Sequence, residues 1–189
     1  VHECSRCICF LLFALPPRVR RTIDGVENID RNKSYVMVLN HNSGVDIFAA
    51  YKIPLNFRWV SKREVFRVPF MGPLLTIHGD IPIERGNPTE AMAKVLSLGK
   101  LWLNRGASVA IFPEGTRSKT GEINRFKMGA FNLAKEAEVE ILPIVMTGTN
   151  KMFRKGWLMN WTNHVAIRVL KPIPVEQVVA TDVKDMAQQ

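Results

Sequence analysis

Six short apolar runs recur along the chain with helical signals between them, and this alternation leaves few folds open. The runs are Tyr35–Leu39, Phe57–Ser61, Thr76–Ile83, Ser108–Phe112, Glu140–Met146 and Val165–Leu170. Bounded runs of this length predict buried strands. The clearest helix is Pro88–Asn104: Asn87 stands at the cap, Pro88 at the first position, Glu90 at the third, and Gly106 just past the end. Its Met92, Val95, Leu96, Trp102 and Leu103 recur at helical spacing and read as core. A second helix is predicted over Arg125–Glu138 with Phe126, Ala130, Leu133, Ala134 and Ala137 inward, and a short one over Asp46–Tyr51. The expected fold is α/β: a single layered domain over residues 20–189, with a mixed, largely parallel central sheet flanked by helices. At 189 residues and 47% hydrophobic content, one substantial core can be buried.

Charge ranks the partners such a domain would meet. Lys and Arg number 26 against 17 Asp and Glu, a formal +9. That excess favours nucleic acid, an anionic membrane surface or a phosphorylated substrate. No RNP, KH or zinc-finger signature is present, so no nucleic-acid partner is expected. Neither GxxxxGK[ST] nor GxGxxG occurs, so nothing supports a nucleotide cradle. Cys4, Cys7 and Cys9 are the only cysteines, which excludes a disulfide framework for the main body. Their spacing with His2 lacks two separated ligand pairs, so no metal site is expected.

The chain begins with Val, which leads us to expect a piece of a longer protein. Ile8–Leu15 is apolar but shorter than the roughly 20 residues that span a bilayer. Pro16-Pro17-Arg18-Val19-Arg20-Arg21 follows as a breaker and basic flank. Residues 1–19 are therefore read as the end of an N-terminal membrane-anchoring segment whose basic side faces the cytoplasm.

Asn40-His41-Asn42-Ser43-Gly44-Val45-Asp46 joins the first run to the short helix and brings a histidine within reach of a carboxylate. On one continuous helix the two side chains would lie roughly 140° apart and could not meet. With His41 on a turn and Asp46 in the first helical turn, the imidazole can fold back over the helix start, with Ser43 the expected N-cap. Asp46 would then fix the tautomer, and the other ring nitrogen would be free to take a proton from a hydroxyl. Ser43-x-x-Asp46 is equally a capping box, in which Asp46 only satisfies a backbone N–H.

Two further motifs fall at predicted strand ends, where α/β folds place ligands. Phe112-Pro113-Glu114-Gly115-Thr116-Arg117-Ser118 leaves the Ser108–Phe112 run. Gly115 permits close backbone approach, and Arg117 offers a planar fork for phosphate, unless it only pairs with Glu114 on the surface. Gly79-Asp80-Ile81-Pro82-Ile83-Glu84-Arg85 likewise delivers Arg85, and Lys62 follows the Phe57–Ser61 run.

Taken in order, these blocks resemble the glycerolipid acyltransferase family, and within it the 1-acyl-sn-glycerol-3-phosphate (lysophosphatidate) acyltransferases. The resemblance covers roughly Arg20 to Ile173. Asn40-His41-x4-Asp46 is similar to the catalytic block, Gly79–Arg85 to the second, and Phe112–Ser118 to the third without a mismatch. Ile141-Leu142-Pro143-Ile144-Val145 resembles the fourth, a strand that shapes the acyl site, and Lys62 resembles a lysine near the phosphate. Pro82 departs from the pattern, since the family usually has a bulkier apolar residue there.

The resemblance implies that His41 is general base on the sn-2 hydroxyl of lysophosphatidate and that Asp46 orients it. It implies that Arg85, Arg117 and Lys62 hold the phosphate, while Glu114, Gly115 and Thr116 contribute to the substrate pocket. The acyl donor would be acyl-CoA or acyl-acyl carrier protein, with no other cofactor, and phosphatidic acid the product in phospholipid biosynthesis. A different lysophospholipid or an amino-acid lipid is the alternative acceptor. Both substrates carry hydrocarbon chains, so association with the cytoplasmic face of the inner (plasma) membrane is expected. Val65–Met71 and Met152–Trp161 mix aromatic and basic residues in a way that suits a headgroup boundary or a buried loop.

Overall fold

The computed structural model describes residues 20–84, 86–118, 120–152 and 164–188. Among them, β1 (Arg20–Asp24), β2 (Val36–Leu39), β3 (Phe57–Lys62), β4 (Ile81–Ile83), β5 (Ser108–Ile111), β6 (Ile141–Thr147) and β7 (His164–Val169) form one sheet, ordered β1-β7-β6-β2-β5-β3-β4. From β6 through β4 every neighbouring pair is parallel. β7 adds antiparallel to β6, and β1 runs parallel to β7. The sheet is mixed and largely parallel, as the sequence predicts.

Helices α1 (Val45–Ala50), α2 (Met71–His78), α3 (Pro88–Asn104), α4 (Gly129–Ala137), α5 (Val175–Ala180) and α6 (Val183–Met186) cover it. β2 shows why the sheet has two covered faces. All four of its residues are buried: Met37 and Leu39 join a core with Ala49, Phe57, Trp59 and Leu142, while Val36 and Val38 join one with Val95, Leu103, Leu133 and Ala134. Alternate side chains of a strand point to opposite faces, so a strand apolar at every position needs a layer on each.

α3 has the predicted bounds, with Asn87 Oδ1 accepting the Glu90 N–H at 3.1 Å. α4 begins later than expected, at Gly129 rather than Arg125. The preceding N–H groups are engaged elsewhere: Asn124 donates to Glu114 Oε2 and Lys127 to the Pro113 carbonyl. The run Thr76–Ile83 is not one strand. Thr76–His78 closes α2, Gly79 turns at φ 85°, and only Ile81–Ile83 pairs with β3. Pro82 sits in β4, which pairs only with β3 among the described residues, and an edge strand tolerates its missing N–H. Arg85, residues 1–19 with their cysteines, and residues 153–161 of the second aromatic-basic stretch lie outside the described residues.

Candidate active site

The parallel strands β2, β3, β4 and β5 end on one edge of the sheet. That edge gathers the His41 turn after β2, Lys62 at the end of β3, Glu84 after β4, and Pro113–Ser118 after β5. This is the crevice position expected of open α/β sheets. Residues far apart in sequence meet here because their strands are neighbours.

His41 Nδ1 donates to Asp46 Oδ2 at 2.8 Å; the carboxylate is fully buried and the imidazole 15% exposed. The same oxygen accepts the backbone N–H groups of Asn42 at 2.7 Å and Ser43 at 2.8 Å. The two readings of Ser43-x-x-Asp46 are therefore both realised, in one atom. Asp46 braces the turn and, by doing so, holds itself where the imidazole needs it. Ser43 is not the N-cap: Gly44 occupies that position without a side-chain bond. Asp46 Oδ1 is buried and makes no hydrogen bond. With Nδ1–H directed at a carboxylate, Nε2 carries the lone pair and is the atom able to accept a proton.

The backbone of His41 is fixed from the other side. Its N–H donates to Glu114 Oε1 at 2.6 Å, and its carbonyl accepts the Ser118 N–H at 2.8 Å. Glu114 is 4% exposed, and its Oε2 accepts both the N–H and the side-chain amide of Asn124. Its oxygens face the protein's own donors, so no ion pair joins it to Arg117, and it shapes the site as a brace between loops. Asn40 adds a reciprocal pair, donating to the Met146 carbonyl at 2.9 Å and accepting its N–H at 2.7 Å. The His41 ring stacks on Phe112 with centroids 4.0 Å apart and planes 16° apart, and Phe112 stacks in turn on Trp59 at 4.9 Å.

Gly115 turns at φ 70°, and a Cβ there would lie 2.9 Å from Lys127 Nζ, so glycine lets that ammonium lie over the loop. Thr116 and Arg117 are exposed on the same loop, and Lys62 is exposed at the end of β3. Sequence reasoning missed Lys127, whose only signal was Arg125-Phe126-Lys127 just upstream of the helix. It also missed Asn40, Trp59 and Phe112 as positioning residues, because each reads as ordinary strand or loop.

A second His–Asp pair braces the neighbouring strand. His78 Nδ1 donates to Asp80 Oδ1 at 2.7 Å, both side chains buried, and Asp80 Oδ1 also accepts the Trp59 N–H at 2.7 Å. Burial lowers the pKa of nearby Arg58, with the Asp80 carboxylate acting in the opposite sense. Arg58 stacks 4.5 Å over the Trp102 ring. With both side chains buried, the pair ties the end of α2 to β3 through the Trp59 N–H.

Comparison with known proteins agrees with the geometry. Residues 20–147 match the family model described as Acyltransferase. A chloroplastic 1-acyl-sn-glycerol-3-phosphate acyltransferase of Arabidopsis thaliana is 36% identical over 160 residues, 83% of this chain and 44% of that protein. The human 1-acyl-sn-glycerol-3-phosphate acyltransferase alpha is 31% identical over 170 residues, 89% of this chain and 60% of that protein. The chain thus spans about half the length of the relatives it matches. The crystal structure of the 1-acyl-sn-glycerophosphate acyltransferase PlsC from Thermotoga maritima shares the fold, with a TM-score of 0.72 at 21% identity, covering 100% of this chain and 80% of that one. With the family model matched across the sheet edge that holds His41, Asp46 and Arg117, the chain belongs to the acyltransferase family.

Proposed function

We propose that this chain transfers a fatty acyl group from a thioester to the sn-2 hydroxyl of 1-acyl-sn-glycerol 3-phosphate, giving phosphatidic acid for phospholipid biosynthesis. The observation that carries the reading is the 2.8 Å His41–Asp46 contact on the edge that also presents Arg117. His41 Nε2 takes the proton of the acceptor hydroxyl as its oxygen attacks the thioester carbonyl carbon. The tetrahedral intermediate collapses, the C–S bond breaks, and the imidazolium returns the proton to the leaving thiolate. General-base assistance of this kind contributes about 10²–10⁴ in rate. Arg117, Lys62 and Arg85 hold the phosphate, and Gly115 and Thr116 line the glycerol region beside the Glu114 brace. Acyl-CoA or acyl-acyl carrier protein serves as donor, and the chain works at the cytoplasmic face of a membrane. Among the described residues no helix is long and apolar enough to cross one.

Incubating the purified chain with lysophosphatidate and a panel of acyl-CoA and acyl-carrier donors, then identifying the lipid product, tests this directly. Phosphatidic acid is the expected product; transfer only to another lysolipid would overturn the acceptor assignment. Arg117→Ala should raise KM for lysophosphatidate about tenfold to a hundredfold, the value of a lost charge-assisted hydrogen bond. An unchanged KM would place the phosphate elsewhere.

The stacked rings make a separate prediction. A ring face carries negative quadrupole density, so Phe112 supports the charge that develops on the imidazole and holds its plane. Phe112→Leu should lower kcat about tenfold with KM little changed, and Phe112→Tyr should retain most activity. Equal losses in both variants would mean that the ring matters only for packing.

A further inference from the structure

α2 and the turn before it leave an apolar surface that the domain does not use. Phe70 is 94% exposed and Ile77 67% exposed, with Val68 and Met71 also open to solvent. Within the helix, exposed Pro73 and Ile77 stand at i and i+4 on one face with half-buried Leu74 beside them, and Phe70 occupies the position just before the first turn. A helix of this kind ordinarily turns such a face inward; here Gly72 and His78 are its buried residues.

The tip is built rather than loose. Gly72 donates to the Val68 carbonyl and Met71 to the Pro69 carbonyl, each at 2.8 Å. A Cβ on Gly72 would lie 1.9 Å from the Phe66 carbonyl oxygen, so the turn closes tightly on the preceding 3₁₀ segment Arg63–Arg67. Phe70 is held at φ 65°, a conformation a bulky side chain adopts only when its surroundings impose it. The outcome is an aromatic ring aimed at solvent.

Charge and topology indicate what meets this surface. From Val65 through Gly79, Arg67 is the only residue among Asp, Glu, Lys and Arg. Arg67 is exposed at the end of the 3₁₀ segment and makes no ion pair among the described residues, and it lines one pocket with Arg63, Glu64 and Glu84. The turn before α2 follows the end of β3 that lies on the edge holding His41, so the Phe70 tip and the His41 turn lie toward the same edge of the sheet. A projecting apolar tip, almost free of charge and with an exposed arginine at its base, suits a bilayer interface with anionic headgroups.

We infer that α2 and its preceding turn form a membrane-docking face, inserting Phe70 and Ile77 among acyl chains while Arg67 meets anionic headgroups. The inference rests on the proposed function only for its purpose, which is to bring the catalytic edge to acceptors resident in the membrane. Its physical basis is the exposed apolar surface and the arginine at its base.

The test compares the full chain with the double variant Phe70→Asn and Ile77→Gln, since asparagine accepts positive φ and glutamine keeps the helix. Cosedimentation with phosphatidylcholine vesicles, with and without phosphatidylglycerol, is read beside acyl transfer to a short-chain, monomeric lysophosphatidate. The double variant should lose about tenfold or more in binding to the anionic vesicles, and wild-type binding should weaken with salt. Its thermal midpoint and its turnover of the soluble acceptor should match the wild type. Phe70→Trp should gain fluorescence quenching by brominated lipid beyond that of the native tryptophans. Equal vesicle binding by wild type and double variant would overturn the inference. So would a wild-type dimer that the double variant abolishes, because a second copy would then cover the face. If vesicle binding falls as described while no acceptor is turned over, the docking face stands and the proposed reaction fails.

Discussion

His41→Ala is expected to lower kcat by about 10³-fold or more while leaving KM for either substrate within a few-fold. The expectation follows from which atoms the substitution removes. Alanine keeps the N–H that Glu114 accepts and the carbonyl that Ser118 reaches, so the turn retains both braces. It deletes the imidazole, and with it Nε2, the atom proposed to accept the hydroxyl proton. A thousandfold loss corresponds to about 4 kcal/mol of transition-state stabilisation, more than the loss of one neutral hydrogen bond accounts for. Steady-state kinetics beside a far-ultraviolet circular dichroism spectrum decides the matter. Turnover within tenfold of wild type, with an unaltered spectrum, would remove His41 from the chemistry.

Glu114→Gln should damage both stability and activity although it preserves shape. Both oxygens of Glu114 accept N–H groups, from His41 on one side and from Asn124 on the other. An amide offers one oxygen and one NH₂, so one side must set a donor against a donor. Leaving such a buried group unsatisfied beside a lost charge-assisted bond costs about 2–3 kcal/mol. For a chain of this size that lowers the melting midpoint by roughly 4–12 °C. Activity should fall further than stability explains, because the backbone of the proposed base is released. A variant with native melting behaviour and native turnover would show that the carboxylate is no brace.

Much of this architecture can be read from the residues because each feature has a local physical cause. β2, β3, β5, β6 and β7 are dense in apolar side chains, and α3 carries its own cap, proline and periodic face. Elements whose identity depends on partners were not legible. β1 is Arg-Arg-Thr-Ile-Asp, polar enough to pass for a loop, and becomes a strand by pairing with β7. Gly72 and Pro73 hide α2, whose last residues Thr76–His78 resemble the start of a strand because its apolar residues lack the polar face that marks an amphipathic helix. α5 and α6 are short and gain their place by burying Val178 and Met186.

At the site, the motifs gave the chemical groups but not their supports. The contact of His41 with Asp46 follows from a turn five residues long. The stack on Phe112 and the bond to Glu114 require β2 to lie beside β5, a fact of sheet order that spacing along the chain does not encode.

That sheet order has a consequence for how activity arises. The turn bearing the proposed base is tied to Glu114, Ser118 and Met146, each more than 70 positions away, and none of these ties exists until β2 is zipped between β5 and β6. A severed peptide or a half-assembled folding intermediate would hold the motif residues without the competent geometry. The proposed chemistry therefore depends on the assembled sheet and not on the motif residues alone.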